Sequence, residues 1–584
     1  MSLTNRDIAE IFGNIADILE IQGESKFKFL SYRRASEELA ELPRDLQAYL
    51  DDGTLRDIPG VGKAISDKIT ELLQTGTMDY YEQRKSEVPL GVVEIKRING
   101  VGPKKAKLFW DELDITSIAD LKQAGEAGQL QGLAGMGKKS EQKVLEGIAA
   151  IARRSDRTPI GKARPAAERI LEFLMALPDV EDGIIAGSIR RARTTIGDVD
   201  ILIASDNAQP IMDAVVNMDE VARVLGHGDT KSSVELHTGL QVDVRVLPKQ
   251  RWGTALQYFT GSQAHNIKIR EIAREQGYSL NEDALRPIDE DGNLLDESHY
   301  VYCATESDVY ETIGLEWIPP ELREDSGEIE QAKNKALPRL IVVSDIIADL
   351  HMHTTYSDGK LSILEMANAA KQRGMQYICI TDHSQMQAQA GGLKAEEVLE
   401  QQAAVRKVND EIDGIVVLHG SEVDIKADGS LDFDDDVLAQ LDWVVASPHV
   451  ALRQEKDAYT ARLVKAIANP HVDCIGHPTG RLISRREPAK LDIDAIIAAA
   501  AQHNTALELN ANPERLDLDA LYIKLAVEQG VLISINTDAH DDWMMDLRDY
   551  GVNNGRRGWL TADTVINTWS YDVFSQWLAD RQPA

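Results

Sequence analysis

The sequence predicts a multidomain protein, with an α-helical N-terminal third, an α+β middle and an α/β C-terminal domain. Three observations carry the prediction. Residues 1–155 are rich in helix formers broken by short Gly-x-Gly punctuation. The middle holds two runs in which aspartates alternate with valine and isoleucine. From residue 346 on, short apolar runs alternate with helical stretches, the sign of βα units around a parallel sheet. At 584 residues the chain is too long for one ordinary hydrophobic core. Its 43% hydrophobic and 27% charged residues fit folded globular domains, not a disordered or fibrous chain. No run of 18 or more uncharged apolar residues occurs, and the charged amphipathic start is not a signal peptide, so no membrane association is expected. Cys303, Cys379 and Cys474 lie far apart and form no CxxC pair. That excludes a disulfide framework and a cysteine zinc site, and it fits a cytoplasmic protein.

Net charge excludes less than it first suggests. The chain has 63 basic and 96 acidic residues, a net −33, which alone argues against nonspecific nucleic-acid binding. The excess is uneven: 22 against 25 in residues 1–155, 20 against 34 in 156–345, and 21 against 37 in 346–584. A nearly neutral N-terminal part with local basic clusters remains able to grip phosphates.

In that N-terminal part three breaks look alike: Ile58-Pro59-Gly60-Val61-Gly62-Lys63, Ile98-Asn99-Gly100-Val101-Gly102-Pro103 and Leu133-Ala134-Gly135-Met136-Gly137-Lys138. Each ends one helical pattern and opens another, as in the helix-hairpin-helix motif. Paired glycines let backbone pass close to a phosphate, and the amides of the next helix N-terminus point at the anion. Gly60, Gly62, Gly100 and Gly102 are therefore candidate contacts to a nucleic-acid backbone, which position without reading sequence. A tight interhelical turn also uses glycine for steric reasons alone; three copies favour the functional reading.

The basic, aromatic stretch Lys26-Phe27-Lys28-Phe29-Leu30-Ser31-Tyr32-Arg33-Arg34-Ala35, together with Ile65-Ser66-Asp67-Lys68-Ile69, resembles the small N-terminal domain of family X DNA polymerases. The resemblance implies a 5′-deoxyribose phosphate lyase, with Lys68 at the Schiff-base position and Lys28 at the 5′-phosphate position. At a second basic position of that helix this chain has Ala64. Residues 1–85 are expected to form this small domain and 86–155 the helix-hairpin-helix fingers.

Next come Gly187-Ser188-Ile189-Arg190-Arg191 and Gly197-Asp198-Val199-Asp200-Ile201-Leu202-Ile203. In a strand Asp198 and Asp200 share one face while Val199, Ile201 and Ile203 pack on the other. Two such carboxylates can chelate a pair of Mg2+ or Mn2+ ions. A third is supplied by Asp243 in Leu240-Gln241-Val242-Asp243-Val244-Arg245-Val246, with Arg245 as its expected partner. Gly187, Ser188, Arg191 and Gly197 suit a triphosphate, through backbone amides, a hydroxyl and a guanidinium. Many nucleotidyltransferases share this constellation, so residues 156–250 read as a nucleotidyltransferase palm.

The run Tyr258-Phe259-Thr260-Gly261-Ser262-Gln263-Ala264-His265-Asn266-Ile267-Lys268-Ile269-Arg270 closely resembles the thumb motif of family X DNA polymerases. The resemblance makes Tyr258 and Phe259 a steric gate against a 2′-hydroxyl and sets Gly261 and Asn266 at the incoming nucleotide. It sets Arg270 on the template strand and counts Arg245 among the DNA contacts. The thumb is expected over 251–320. The proline-containing acidic stretch that follows, 321–345, reads as a linker.

Residues 346–584 hold seven apolar runs, Ile346–Leu350, Tyr377–Ile380, Ile415–Leu418, Trp443–Ala446, Asp473–Gly476, Ala506–Leu509 and Leu532–Ile535. Six of them end at or near His351, His353, Asp358, His383, Glu422, His449, His477, Asp538 and His540, and catalytic groups belong at the C-terminal ends of barrel strands. His419, His471 and His503 read as structural. The region resembles the PHP (polymerase and histidinol phosphatase) family. That resemblance implies a (βα)7 barrel whose nine metal ligands are those residues, holding up to three ions of Mn, Zn or Fe. Arg481, four residues past His477, is the expected phosphate clamp.

Across nearly its whole length the chain resembles a bacterial-type family X DNA polymerase with a C-terminal PHP domain. The expected function is gap filling in DNA repair by two-metal nucleotidyl transfer on gapped or primer-template DNA with dNTPs. A PHP-domain 3′-5′ exonuclease accompanies it, with phosphatase or abasic-site endonuclease activity as variants. A monomer is expected. Two other readings are open, a phosphoesterase for small phosphorylated metabolites and a DNA-repair scaffold without chemistry. Three hairpins argue against the first, and the full set of carboxylates and histidines argues against the second.

Overall fold

The computed structural model describes residues 5–40, 42, 46–96, 98, 101–153, 157–289 and 291–581. The chain forms two compact units, 1–155 and 156–584.

The first unit is helical. Ile8, Phe12, Ile15 and Leu19 recur at the 3.6-residue period along the helix Asn5–Ile21, which buries them against Ala35 and Leu39 of the helix Lys26–Ala40. At the first hairpin the chain leaves the turn Leu55–Asp57, takes φ +79° at Gly60, and enters the helix Lys63–Thr75 from Gly62. Ile58, Val61, Ile65 and Ile69 of that hairpin point into the same core. Gly102 stands before the helix Pro103–Leu113, whose proline at the first position loses only an N–H that has no helical acceptor. Gly100 lies outside the described residues.

The second unit opens with a five-stranded sheet: β1 Asp182–Ile185, β2 Asp198–Ala204, β3 Val221–His227, β4 Lys231–Leu236 and β5 Gln241–Leu247. Its spatial order is β1-β2-β5-β4-β3, parallel between β2 and β5 and antiparallel elsewhere. Period-two alternation decides its two faces. Val199, Ile201 and Ile203 of β2, with Val242 and Val244 of β5, pack under the helices Ile160–Met175 and Ala208–Val216. On the opposite face Leu202 and Ala204 pack on Trp252, Ala255 and Leu256 of the helix Trp252–Thr260, leaving the Asp198 end open. The helix Gln263–Glu275 follows, capped by Ser262, whose hydroxyl accepts from His265 N at 3.1 Å.

The stretch read from composition as a linker is packed. Leu322, Arg323, Glu328, Ala332, Leu340 and Ile341 are buried. Arg323 is paired with Glu306, and Arg556 from the far end of the chain donates to Glu321 at 2.7 Å and to Ile341 O at 2.8 Å.

Seven parallel strands then run in chain order: β6 Ala348–Met352, β7 Tyr377–Ile380, β8 Val416–Asp424, β9 Trp443–Ser447, β10 Cys474–Ile475, β11 Ala506–Asn510 and β12 Ile533–Asn536. Each lies on one of the seven apolar runs. The first and last approach one another, with a parallel bridge Met352–Ala539 and His353 N donating to Ala539 O at 2.8 Å, so the barrel is nearly closed. The helix Tyr571–Arg581 plugs one end, where Phe574 packs on the rings of Tyr377 and Trp443 at 5.1 and 5.6 Å. The functional groups collect at the other, C-terminal end of the strands. Sheet and barrel share a boundary, since Leu516, from the loop after β11, is buried in the core beneath the five-stranded sheet.

Candidate active sites

Asp200 and Asp243 stand opposite one another on the parallel strands β2 and β5, with Asp198 two residues before on the same face of β2. Burial, then the charges of Asp198 and Asp243, push the Asp200 carboxyl up to about 7. Burial and the two neighbouring carboxylates both disfavour a negative charge on Asp200, and a bound cation would relieve both. Asp243 goes the other way. Burial works to raise it, but bonds from Lys231 and Gln241 hold it below the usual range. Lys231 Nζ lies 2.5 Å from Asp243 Oδ2 and Gln241 donates to Oδ1 at 2.9 Å. Lys231, not Arg245, is thus the partner of Asp243; Arg245 instead lies over the Phe259 ring, 4.5 Å from its centroid. Among the described residues, the clusters whose ligand atoms close on one another lie in the barrel, and the three sheet aspartates do not form one.

The turn Gly187–Arg190 presses on this site, with Ala186 N donating to Asp200 O at 2.8 Å. Arg191 donates to Glu324 at 2.9 Å and to Thr260 O at 2.8 Å, and Arg190 forks onto Glu306 at 2.8 and 2.7 Å. Both arginines therefore tie the turn to the helices that follow the sheet. Tyr258 and Phe259 meet edge to face at 5.1 Å. Asn266 donates to Tyr258 O at 2.7 Å and Gly261 O at 3.1 Å and accepts from Gln257 at 2.9 Å, so its amide closes the Tyr258–Gly261 turn. Arg270 is exposed. In the N-terminal unit Lys28 is paired with Glu24 at 2.9 Å, while the Lys68 ammonium sits 4.8 Å from the centre of the Tyr80 ring.

At the mouth of the barrel the nine positions singled out in the sequence come together. Three overlapping groups have ligand atoms within 4.8 Å of one another: His353, Asp358, His383 and His540; His351, His353 and Asp538; His383, Glu422 and His449. Glu422 ties them, lying 3.4 Å from His351, 2.8 Å from His383, 3.2 Å from His449 and 3.0 Å from His477. Burial opposes charge on Glu422, yet His449, His351 and His383 hold its carboxyl well below the usual range. Burial, then the neighbouring His540 and His383, drive His353 down to about 3, which keeps it a neutral donor. Among the described residues, buried ring nitrogens of His351, His353 and His477 have no hydrogen-bond partner, and Nδ1 of His383 faces only the Glu422 carboxylate. Unpartnered imidazole nitrogens facing ionised carboxylates are a donor set that fits divalent transition ions.

Around these groups stands a ring of residues that sequence reasoning passed over. Glu508 accepts from His351 Nδ1 at 2.7 Å and from His477 N at 2.7 Å. Asp424 lies 3.2 Å from His449 Nδ1. Asp382 accepts from Thr354 N at 2.7 Å, Thr354 Oγ1 at 2.6 Å and Gln401 at 2.5 Å. Glu508 and Asp424 are partners of the kind that orient ligand imidazoles, while Asp382 braces the backbone after His353. The only hint of Glu508 in the sequence is a charge inside an apolar run, and the folded β11 alone shows that it is buried. Arg481 is no phosphate clamp. It donates to Arg515 O at 2.8 Å, to Asp519 at 2.5 Å and to Leu516 O, so each of its three guanidinium nitrogens is bonded to protein.

Comparison with known proteins places four segments: residues 3–78 match the helix-hairpin-helix domain, 92–150 the SAM-like helix-hairpin-helix tandem, 255–324 the DNA polymerase beta thumb and 349–512 the PHP domain. The chain is 40% identical over 564 residues to the DNA polymerase/3′-5′ exonuclease PolX of Bacillus subtilis (strain 168), covering 96% of this chain and 97% of that protein. It is 30% identical over 240 residues to a probable phosphatase of Thermoanaerobacter sp. (strain X514), 38% of this chain and 91% of the relative. It is 25% identical over 345 residues to DNA polymerase lambda of Arabidopsis thaliana, 55% and 62% of the two chains.

Proposed function

The chain belongs to the bacterial PolX family of family X DNA polymerases with a C-terminal PHP domain, and from that footing we propose how it divides its chemistry. It is a DNA polymerase that extends a primer strand from dNTPs at the five-stranded palm and a 3′-5′ exonuclease at the barrel. The observation that carries this reading is the presence, in one chain, of two separated acidic centres. One is built of aspartates on paired strands, the other of imidazoles and carboxylates at a barrel mouth.

At the palm, Asp198, Asp200 and Asp243 would hold Mg2+ or Mn2+; at the barrel, His351, His353, Asp358, His383, Glu422, His449, His477, Asp538 and His540 would hold up to three ions of Mn, Zn or Fe. Bound divalent ions supply positive charge to the reacting phosphate and acidify the attacking oxygen. The remaining work belongs to the chain. Asp243, paired here with Lys231, would hold the cation with the same carboxylate. Ser188 and the amides of the Gly187 turn receive the triphosphate, and Arg191 reaches it by releasing Glu324. Tyr258 and Phe259 stand against the sugar, Asn266 and Arg270 against the base pair and template. Lys28, the hairpin glycines and Arg245 hold the DNA backbone. Glu508 and Asp424 keep His351 and His449 oriented.

Lys68, beside the Tyr80 ring, is the proposed Schiff-base lysine of a 5′-deoxyribose phosphate lyase, and abasic-site cleavage is a further proposed reaction of the barrel. A cytoplasmic monomer is part of the same reading; among the described residues, no helix is long and apolar enough to cross a membrane.

The test uses a 5′-phosphorylated single-nucleotide gap with Mn2+, with and without dNTPs. Growth with dNTPs and shortening without them are expected. Asp200→Asn should remove growth alone, and His353→Ala shortening alone. If either variant removed both activities, or neither, the two-centre assignment would fall. Borohydride trapping that survives Lys68→Ala would remove the lyase assignment.

A further inference from the structure

A protein cation on the non-bridging oxygens of the scissile phosphate would add to the charge that bound ions supply at the barrel mouth, and Arg481 is committed elsewhere. So are most arginines of this domain that are not exposed. Arg462 donates to Val450 O and Ile425 O, Arg556 to Glu321 and Ile341 O, and Arg373 to Asp546. Arg515 differs. Its side chain is 19% exposed, and its Nε lies 3.8 Å from Asp538 Oδ2, too far for a hydrogen bond. Among the described residues its guanidinium makes no other contact of this kind. A guanidinium beside the metal-site carboxylate with its five N–H donors uncommitted is built to accept an oxyanion.

Its position is set from two sides. Arg481 holds the carbonyls of Arg515 and Leu516 from the barrel, and Arg515 N donates to Asn512 O at 2.7 Å. From the palm, Leu516 is anchored in the core under the sheet. Pro513 of the same loop lies so close to Gly161 of the palm helix that a Cβ there would come within 2.8 Å of Pro513 Cβ.

We propose that Arg515 grips the scissile phosphate at the PHP centre, and that the polymerase palm holds the loop that presents it. This rests on reading the barrel as the exonuclease. In the step it serves, a water oxygen bonds to phosphorus as the bond from phosphorus to the penultimate 3′-oxygen breaks. That oxygen keeps the electron pair and takes a proton from solvent, and the attacking water gives up one of its own protons to solvent. The products are a nucleoside 5′-monophosphate and a strand one nucleotide shorter. Arg515 makes two N–H···O bonds to the phosphate and changes no covalent bond.

The experiment uses the full chain with Mn2+ and two substrates, a 5′-labelled primer and thymidine 5′-(4-nitrophenyl phosphate), which needs no DNA grip. Arg515→Ala should lower kcat/KM on both by roughly 10- to 100-fold, the worth of a charged hydrogen bond. Added guanidinium ion and Arg515→Lys should each restore part of the loss. Affinity for thymidine 5′-monophosphate, measured by calorimetry, should fall with the activity, while manganese content and melting temperature stay put. Gly161→Ala should slow cleavage and leave primer extension unchanged. Undiminished cleavage by Arg515→Ala overturns the phosphate role, as does a loss that tracks metal content or melting and ignores guanidinium. Normal cleavage by Gly161→Ala overturns the palm's part. A wild type that cleaves neither substrate sinks the exonuclease reading instead, and the monophosphate titration then judges Arg515 alone.

Discussion

A methyl group at position 187 has nowhere to go. Gly187 has φ +57°, and a Cβ there would lie 2.1 Å from Asp200 Oδ2. Gly187→Ala should therefore displace a palm carboxylate by about an ångström and lower primer extension roughly 100-fold. Cleavage by the barrel should be unchanged in the same preparation; equal loss of both activities would mean general misfolding. Glu508 is the matching test at the other centre. Glu508→Gln weakens the acceptor that orients His351, and manganese affinity by equilibrium dialysis should fall roughly 10- to 100-fold. Palm activity should persist. The histidines and aspartates of the barrel mouth were legible because each follows a strand-like run, where topology puts functional groups. Glu508 was not, since a charge inside a run has no periodic signature separating a ligand's orienting partner from a solvent-facing residue. Arg481 misled for a related reason. Four residues from His477 is close along the chain, but only the folded loop shows that its guanidinium turns to Asp519 and two carbonyls.

At the scale of the element, the helix Glu306–Thr312 is pinned by its first residue. Glu306 receives Arg190 from the palm turn and Arg323 from the stretch before the barrel. Burial alone would raise its carboxyl, but Arg323 and Arg190 hold it at about 2, below the ordinary 4.5. A folded value below the unfolded one means its stabilisation is complete above about pH 4.5 and is lost as pH falls toward 2. Glu306→Gln should cost about 3–5 kcal/mol at neutral pH, leaving two arginines without their anion. The gap in melting temperature between variant and wild type should narrow below about pH 4.5. A gap independent of pH would contradict the ion-pair account. The seven barrel strands were readable because parallel strands covered on both faces are continuous apolar runs. The stretch 321–345 was harder to read. Its prolines and acids have a linker's composition, and nothing in composition says that Arg323 will be buried by finding Glu306.

At the scale of the molecule, the two compact units should unfold separately. Calorimetry is expected to show two transitions. Chelation should lower only the one belonging to 156–584, because an ion bound to the native state alone stabilises only the unit that holds it. A single transition, or a shift in both, would count against that division. Within the larger unit, palm and barrel should melt as one, since Leu516 belongs to the barrel's chain and the palm's core. That borrowed leucine also has a meaning in time. The last strand of the palm ends at Leu247, so some 270 residues must still leave the ribosome before the core beneath it can be filled. At roughly 5–20 residues per second, the nascent palm waits between a quarter of a minute and a minute with a hole in its floor. During that wait the cell holds neither enzyme: the polymerase is completed by the same late stretch of chain that completes the nuclease, and the two are born together.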